Sequence, residues 1–419
     1  MQKSHIFLCI DLKSFYASVE CVERGLNSLT TDLVVADETR GRGALCLAVS
    51  SSLKKKGVKN RCRLFEIPQE LSYIIAKPRM KKYIEYSADI YSLYLRYIAK
   101  EDIHVYSIDE CFLDITSYLQ LYQKTPMEMA EFLMNLIWKE KGIRATAGIG
   151  TNMFLAKVAL DIVAKTSMNY MGYLDEEIFK DTLWHYQPIT DFWNIGRGIA
   201  KRLLKYNVTD MYALAHLDEK VLYKEFGINA LFLIDHSWGR ESCTIQDIHQ
   251  YVRENHSLSS GQVLFENYQT EDAFLAMKEM VELLTLELVK KHMVTNSIHL
   301  SIGYADGKIP CSKGHRSLDG FTSSYRKLLS AYKKLFYEIV LRDTLIRKLS
   351  ISFGHVVDES YKTYDLFEEE EEEKEHRSQL AIIEIKERFG KNAILRGMNL
   401  EEKATTPKRN KLIGGHNGE

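Results

Sequence analysis

Val105-Tyr106-Ser107-Ile108-Asp109-Glu110-Cys111-Phe112-Leu113-Asp114-Ile115-Thr116 reads as an apolar strand, two adjacent carboxylates and a second apolar strand. Val105, Ile108, Phe112, Leu113 and Ile115 favour burial, so Asp109 and Glu110 at the turn between the strands lose solvent and repel each other unless a cation joins them. A divalent metal is the simplest such partner. Acidic pairs also decorate turns for structural reasons alone, and this stretch by itself leaves both readings open.

A second stretch, upstream, bears on the choice. Ile6-Phe7-Leu8-Cys9-Ile10-Asp11 is a buried-strand run that ends on a carboxylate and passes directly into Leu12-Lys13-Ser14-Phe15-Tyr16-Ala17-Ser18-Val19-Glu20, which has helical character. An acid at a strand end beside a helix N-terminus suits phosphate and metal together. The free backbone N–H groups hold a polyphosphate, and the carboxylate holds Mg²⁺, a hard cation that shares its coordination sphere with phosphate oxygens. If the two strands are sheet neighbours, Asp11, Asp109 and Glu110 converge on one site.

These two segments, IDLKSFYASVE and YSIDECFLDIT in this order, resemble the palm signatures of the Y-family, or translesion, DNA polymerases. Gly148-Ile149-Gly150, Phe154-Leu155-Ala156-Lys157 and Asn194-Ile195-Gly196-Arg197-Gly198 continue the family order, and the tail GKNAILRGMNL with IGGH near the end is similar to the UmuC-type branch of Gram-positive bacteria and their mobile elements. The resemblance covers nearly the whole chain. It implies a mixed α/β (α+β multidomain) right-hand polymerase that adds deoxynucleotides to a primer 3′ end past damaged template, with low fidelity and a place in SOS or UV-damage tolerance. It also implies two Mg²⁺ ions held by Asp11, Asp109, Glu110 and the Leu12 carbonyl, Tyr16 as the steric gate that excludes the ribose 2′-OH, and Ser14, Phe15, Ser51, Lys54 and Lys165 around the triphosphate. The family commonly has a Tyr and an Arg where Ser51 and Lys54 stand, and lysine is a point charge rather than a bidentate fork. Lys165 follows Lys157 at a spacing one residue longer than usual.

The 419 residues suffice for three or four domains of typical size. The expected palm is 1–24 with 76–165, the fingers 25–75, a helical thumb 166–240, a polar linker 241–253, a little finger 254–356 and a tail 357–419. Residues 83–99 and 127–138 have helical apolar spacing, the first with Ile84, Ala88, Tyr91, Leu95 and Ile98 on its inner face. Residues 192–203 resemble a helix-hairpin-helix whose Gly196 and Gly198 admit a phosphate backbone and whose Lys201 adds charge; an ordinary tight turn is the alternative. From 261 to 353 the periodicity predicts βαββαβ with one open sheet face, where His256, Lys308, Lys313, Arg316, Arg347 and Lys348 are candidate phosphate contacts.

Hydrophobic residues make up 45% and charged residues 27%, with no run long enough to span a bilayer and no signal segment, which points to the cytoplasm and away from membranes. The seven cysteines are scattered without CxxC spacing, so reduced thiols are expected rather than a disulfide framework or a zinc site. A net charge of −1 limits affinity for DNA, although seven of the 57 acidic residues are gathered in the run 368–375 and it is the local field that meets phosphates. That run reads as a solvated stretch. Just before it, Thr363-Tyr364-Asp365-Leu366-Phe367 resembles the short motif by which bacterial polymerases dock on the sliding clamp, without its usual initial Gln; an amphipathic linker is the alternative. The partners expected are primed DNA, dNTPs, a sliding clamp and a UmuD-like or recombinase protein. The rival readings are another palm enzyme such as a GGDEF-type cyclase, which leaves the later modules without a purpose, and a non-catalytic DNA-bound accessory protein.

Overall fold

The computed structural model describes residues 5–252, 257–363 and 369–419. The chain forms two compact units, Met1–Tyr251 with Asn417–Glu419, and Val252–His416.

In the first unit, β1 (Phe7–Leu12) is the central strand of a five-stranded sheet. It pairs antiparallel with β6 (Glu110–Asp114) on one side and β7 (Ala145–Gly150) on the other; β5 (Ile103–Val105) lies outside β6, and β8 (Met171–Leu174) runs parallel to β7. Strand β8 therefore extends the layer beyond residue 165, the boundary the sequence predicts for the palm. The apolar run of β1 is continuous because the sheet is covered on both faces. Leu8, Ile10 and Leu12 pack with α1 (Phe15–Glu23), α3 (Met80–Leu95) and α5 (Pro126–Lys141), while Phe7 and Cys9 meet Phe112, Met153, Ala156 and Leu160 on the other face. Helix α4 (Thr116–Tyr122) follows β6, and α6 (Met153–Val158) follows β7.

Helix α3 only partly presents the face its apolar spacing predicts: Tyr91 packs against the core and Ile98, just past the helix end, is buried, but the rest differs. Met80, Tyr83, Ile90, Leu93 and Tyr94 are buried, and Ile84 and Leu95 are 44% and 41% exposed. Tyr83 takes the core position because its ring is large and its hydroxyl is satisfied by donating to Glu20 Oε1 at 2.8 Å. A small sheet of β2 (Leu33–Val35), β3 (Ala48–Val49) and β4 (Ile74–Ala76), with the short helix α2 (Ser51–Lys55), has its own core of Val34, Cys46, Val49, Leu53 and Leu64. Residues 176–237 are short helices. The stretch predicted as a polar linker contains a capped helix, Ile245–Gln250, whose Ile245 is buried against Phe7 and Phe112.

The second unit is the βαββαβ arrangement the periodicity predicts. Strands β9 (Ser257–Tyr268), β10 (Met293–Tyr304), β11 (Ser312–Thr322) and β12 (Ile346–Asp358) lie in the order β11-β10-β12-β9. The helices Thr270–Lys290 and Tyr325–Ile339 cover one face. In the acidic run Glu370, Glu371 and Glu373 are exposed as expected, but the run lies in the helix Glu369–Phe389 and two of its members turn inward: Glu372 is only 2% exposed and pairs with Lys327 and Lys362, and Glu375 accepts from Ser324 Oγ (2.6 Å) and the Arg326 N–H (3.1 Å). Acidic groups are drawn there by the positive end of the helix Tyr325–Ile339. The tail also closes on the first helix of this unit. Buried Glu279 accepts from Asn399 Nδ2 (2.9 Å), Thr405 N (2.7 Å), Thr405 Oγ1 (2.8 Å) and Thr406 N (3.2 Å), and Arg396 pairs with Glu282 at 2.7 Å.

Candidate active site

Register brings the acids together. In the β1–β6 ladder Asp11 stands opposite Glu110, and the Leu12 N–H donates to the Asp109 carbonyl at 2.9 Å. The turn between β5 and β6 is fixed by its own bonds. The N–H groups of Tyr106 and Ser107 both donate to the Glu110 carbonyl at 3.0 Å, Ser107 Oγ donates to Asp109 Oδ1 at 2.7 Å, and Trp193 Nε1 donates to the Tyr106 hydroxyl at 3.0 Å. Burial, followed by the like charges of Asp109 and Glu110, pushes the Asp11 carboxyl up to about 7. Among the described residues no three acidic, imidazole or thiol groups are already closed around a single cation position. The donor set nevertheless suits Mg²⁺: the acids supply hard oxygens only, and the repulsion that lifts Asp11 is what a divalent cation relieves.

In the sequence Lys157 stands only as part of a motif. It is 8% exposed, and its Nζ lies 2.7 Å from Glu110 Oε1 and 2.9 Å from Asp161 Oδ2. Cys9 Sγ donates to the same Glu110 oxygen at 3.1 Å. The available signal was a lysine and an aspartate one turn apart in the otherwise apolar run MFLAKVALDIV. Glycines seat this helix: a Cβ on Gly148 would lie 2.0 Å from the Ala156 carbonyl oxygen, and one on Gly150 would lie 2.2 Å from Ala156 N. The backbone of α6 thus lies directly against β7.

Lys165 follows Lys157 by eight positions, which in a regular helix would set it about 80° round the axis. A π-helical turn at Ala159–Val163 absorbs one residue and returns it to about 20°. Asp161 then bridges the two lysines, with Lys165 Nζ 3.6 Å from Asp161 Oδ1. Across the site, Ser14 takes a left-handed conformation (φ 50°, ψ 44°) as the N-cap of α1 and puts no side-chain oxygen on its first turn. Ser14 Oγ is 3.5 Å from Ser51 Oγ and accepts from Lys54 Nζ at 3.0 Å. The Lys54 ammonium is held below its usual value by partial desolvation and by Lys165, against the pull of Asp11 and Asp109. Phe15 is buried in the core, so only its backbone can meet a ligand. Tyr16 stacks on Tyr83 at 4.4 Å and 14°.

The other predicted contacts that the structure describes are carried by other elements. Gly196 is the N-cap of the helix Arg197–Leu203, which carries Lys201, and a Cβ on Gly196 or Gly198 would meet nothing within 4 Å, so packing does not require glycine there. In the second unit Lys313 lies beside Ser301, Ser350 and Gly261 along a trough of about 330 Å³ on the open sheet face. Lys348 is exposed opposite Gly303, Lys308 is in the β10–β11 turn, and Arg347 lies at an irregularity of β12. Arg316 is turned to the helices and pairs with Glu338 at 2.6 Å. His256, Tyr364, Asp365, Leu366 and Phe367 lie outside the described residues.

The model of the impB/mucB/samB family matches residues 10–161, and that of the family's C-terminal domain matches 255–366. A Bacillus subtilis protein named for UV-damage repair, UvrX, is 32% identical over 413 residues, 98% of this chain and 97% of that one. The chain belongs to the impB/mucB/samB family, that of the Y-family DNA polymerases. DNA polymerase IV 2 of Bacillus subtilis is 27% identical over 99% of this chain and 100% of its own. A solved Y-family DNA polymerase chimera of Dbh and Dpo4 superposes with a TM-score of 0.65 at 20% identity, covering 84% of this chain and 99% of its own, so the Y-family fold is shared. No helix among the described residues is long and apolar enough to cross a membrane.

Proposed function

We propose that this chain is a DNA-directed DNA polymerase of the translesion type, with Asp11, Asp109 and Glu110 as its catalytic acids. The observation that carries the reading is the ladder that sets Asp11 opposite Glu110, with Asp109 one residue away and its carbonyl tied to Leu12. Bound by these acids and the Leu12 carbonyl, two Mg²⁺ ions would lower the pKa of the primer 3′-hydroxyl and offset charge on the triphosphate and the departing pyrophosphate. The chain's own part is positioning and charge complementarity. The first-turn N–H groups of α1, with Ser14, Ser51, Lys54 and Lys165, hold the triphosphate so that the 3′-oxygen meets the α-phosphorus in line. Tyr16, fixed by Tyr83, faces the sugar. Lys201, Lys308, Lys313, Arg347 and Lys348 hold the DNA backbone without reading sequence. With a net charge of only −1, residence on DNA depends on a tether such as a sliding clamp, and a UmuD-like or recombinase partner is a further candidate.

The test is extension of a primed template by the purified chain with Mg²⁺. Asp109→Ala is expected to abolish extension and to leave DNA binding within about twofold, a free-energy change of roughly 0.4 kcal/mol. Undiminished extension by that variant refutes the assignment.

A further inference from the structure

We propose that Lys157 is a positioning residue for metal binding: it occupies one oxygen of Glu110, so that this carboxylate is left as a one-oxygen ligand for a cation shared with Asp11 and Asp109. The inference rests on the three-acid site proposed above. Its geometry is specific. Lys157 Nζ lies 2.7 Å from Glu110 Oε1, the oxygen that also accepts from Cys9 Sγ at 3.1 Å, and no hydrogen bond or ion pair from the described residues reaches Oε2. The helix that carries Lys157 cannot slide, because β7 meets its backbone through glycine at Gly148 and Gly150. Lys157 is also anchored from behind by Asp161 at 2.9 Å.

The alternative is a buried ion pair with a structural role only, which apolar residues of similar volume can often replace without loss. Charge argues against that here. One ammonium faces Glu110 and Asp161 together, and Asp11 and Asp109 stand beside Glu110, so Lys157 orients one acid without neutralising the group. Partners that orient a metal ligand through its second atom typically set metal affinity by 10–100-fold.

The probe is Mn²⁺, whose binding to the full chain without DNA or nucleotide is followed by electron paramagnetic resonance. Lys157→Met is expected to weaken Mn²⁺ binding about 10-fold or more and to raise the Mg²⁺ concentration needed for primer extension, with the dNTP KM at saturating Mg²⁺ unchanged. Lys157→Arg restores most of the affinity. Unchanged or tighter Mn²⁺ binding by Lys157→Met overturns the proposal, since a merely repelling cation would tighten it on removal. Asp11→Ala is measured alongside: if it too leaves Mn²⁺ binding intact, the three-acid site is what has failed. A crystal of the wild-type protein with Mn²⁺ decides the matter without a variant. Lys157 on Oε1 with metal on Oε2 supports the proposal, and metal on Oε1 with the lysine displaced ends it.

Discussion

Asp11 keeps its proton in the folded chain at pH values where the unfolded chain has already lost it, because burial and the charges of Asp109 and Glu110 lift its carboxyl to about 7. Between the ordinary value near 4 and about 7 the native state therefore binds more protons than the unfolded state, and stability falls as pH rises through that window. In EDTA, Asp11→Asn is expected to raise the melting temperature at pH 8 by about 2 °C or more and to make no difference at pH 4; Mg²⁺ should narrow the gap by offsetting the repulsion in the parent chain. Thermal melts at the two pH values decide it, and an equal effect at both would show that repulsion is not the cause. Tyr16 is held differently, by stacking on Tyr83. As the proposed steric gate, Tyr16 is tested by Tyr16→Ala, which is expected to raise ribonucleotide incorporation at least 10-fold, since a clash or its absence is worth at least about 1.4 kcal/mol in discrimination. Sugar discrimination unchanged in single-turnover incorporation assays rejects the gate.

At the scale of elements, the support beneath Lys157 is the vulnerable part. A methyl on Gly148 would lie 2.0 Å from the Ala156 carbonyl oxygen and 2.3 Å from Leu160 N, both backbone atoms, so no rotamer change relieves it and helix α6 has to move off β7. Gly148→Ala is expected to cost about 3 kcal/mol or more and to lose extension even where the chain still folds; near-wild-type melting and activity would mean the helix can shift freely. The strand, carboxylate and helix of residues 6–20 were legible in the sequence because every part of that signal is local. The role of Lys157 was not, since it depends on how closely two backbones approach through Gly148 and Gly150. The extra residue before Lys165 was visible, but its resolution by a π-helical turn is a matter of helix geometry that spacing alone does not carry. The inner face of α3 is not fully legible in the sequence because tyrosines compete with aliphatic residues for the core, and Glu20 settles that competition from another helix.

At the scale of the whole molecule, the tail is bound into the second unit by a carboxylate, which makes a buried acidic residue of the helix Thr270–Lys290 part of the fold. Glu279 is 1% exposed and ties together donors from Asn399, Thr405 and Thr406, while Arg409 reaches Gln262 Oε1 (3.1 Å) and the Gly261 carbonyl (3.3 Å) on the outer strand β9. An outer strand with free carbonyls invites pairing with other chains, and the guanidinium covers one of them. The segment GKNAILRGMNL, whose meaning its composition does not reveal, thus contributes Arg396 and Asn399 to the same closure. Glu279→Ala leaves several buried donors without a partner, at about 1–3 kcal/mol each. Hydrogen exchange followed by mass spectrometry should then speed up in residues 396–409, in β9 and in the helix Thr270–Lys290, while β1, β6 and β7 exchange as in the parent chain. Exchange that rises equally in both units would mean the substitution weakens the chain as a whole, and exchange that rises in neither would mean that the tail is held by something other than this carboxylate.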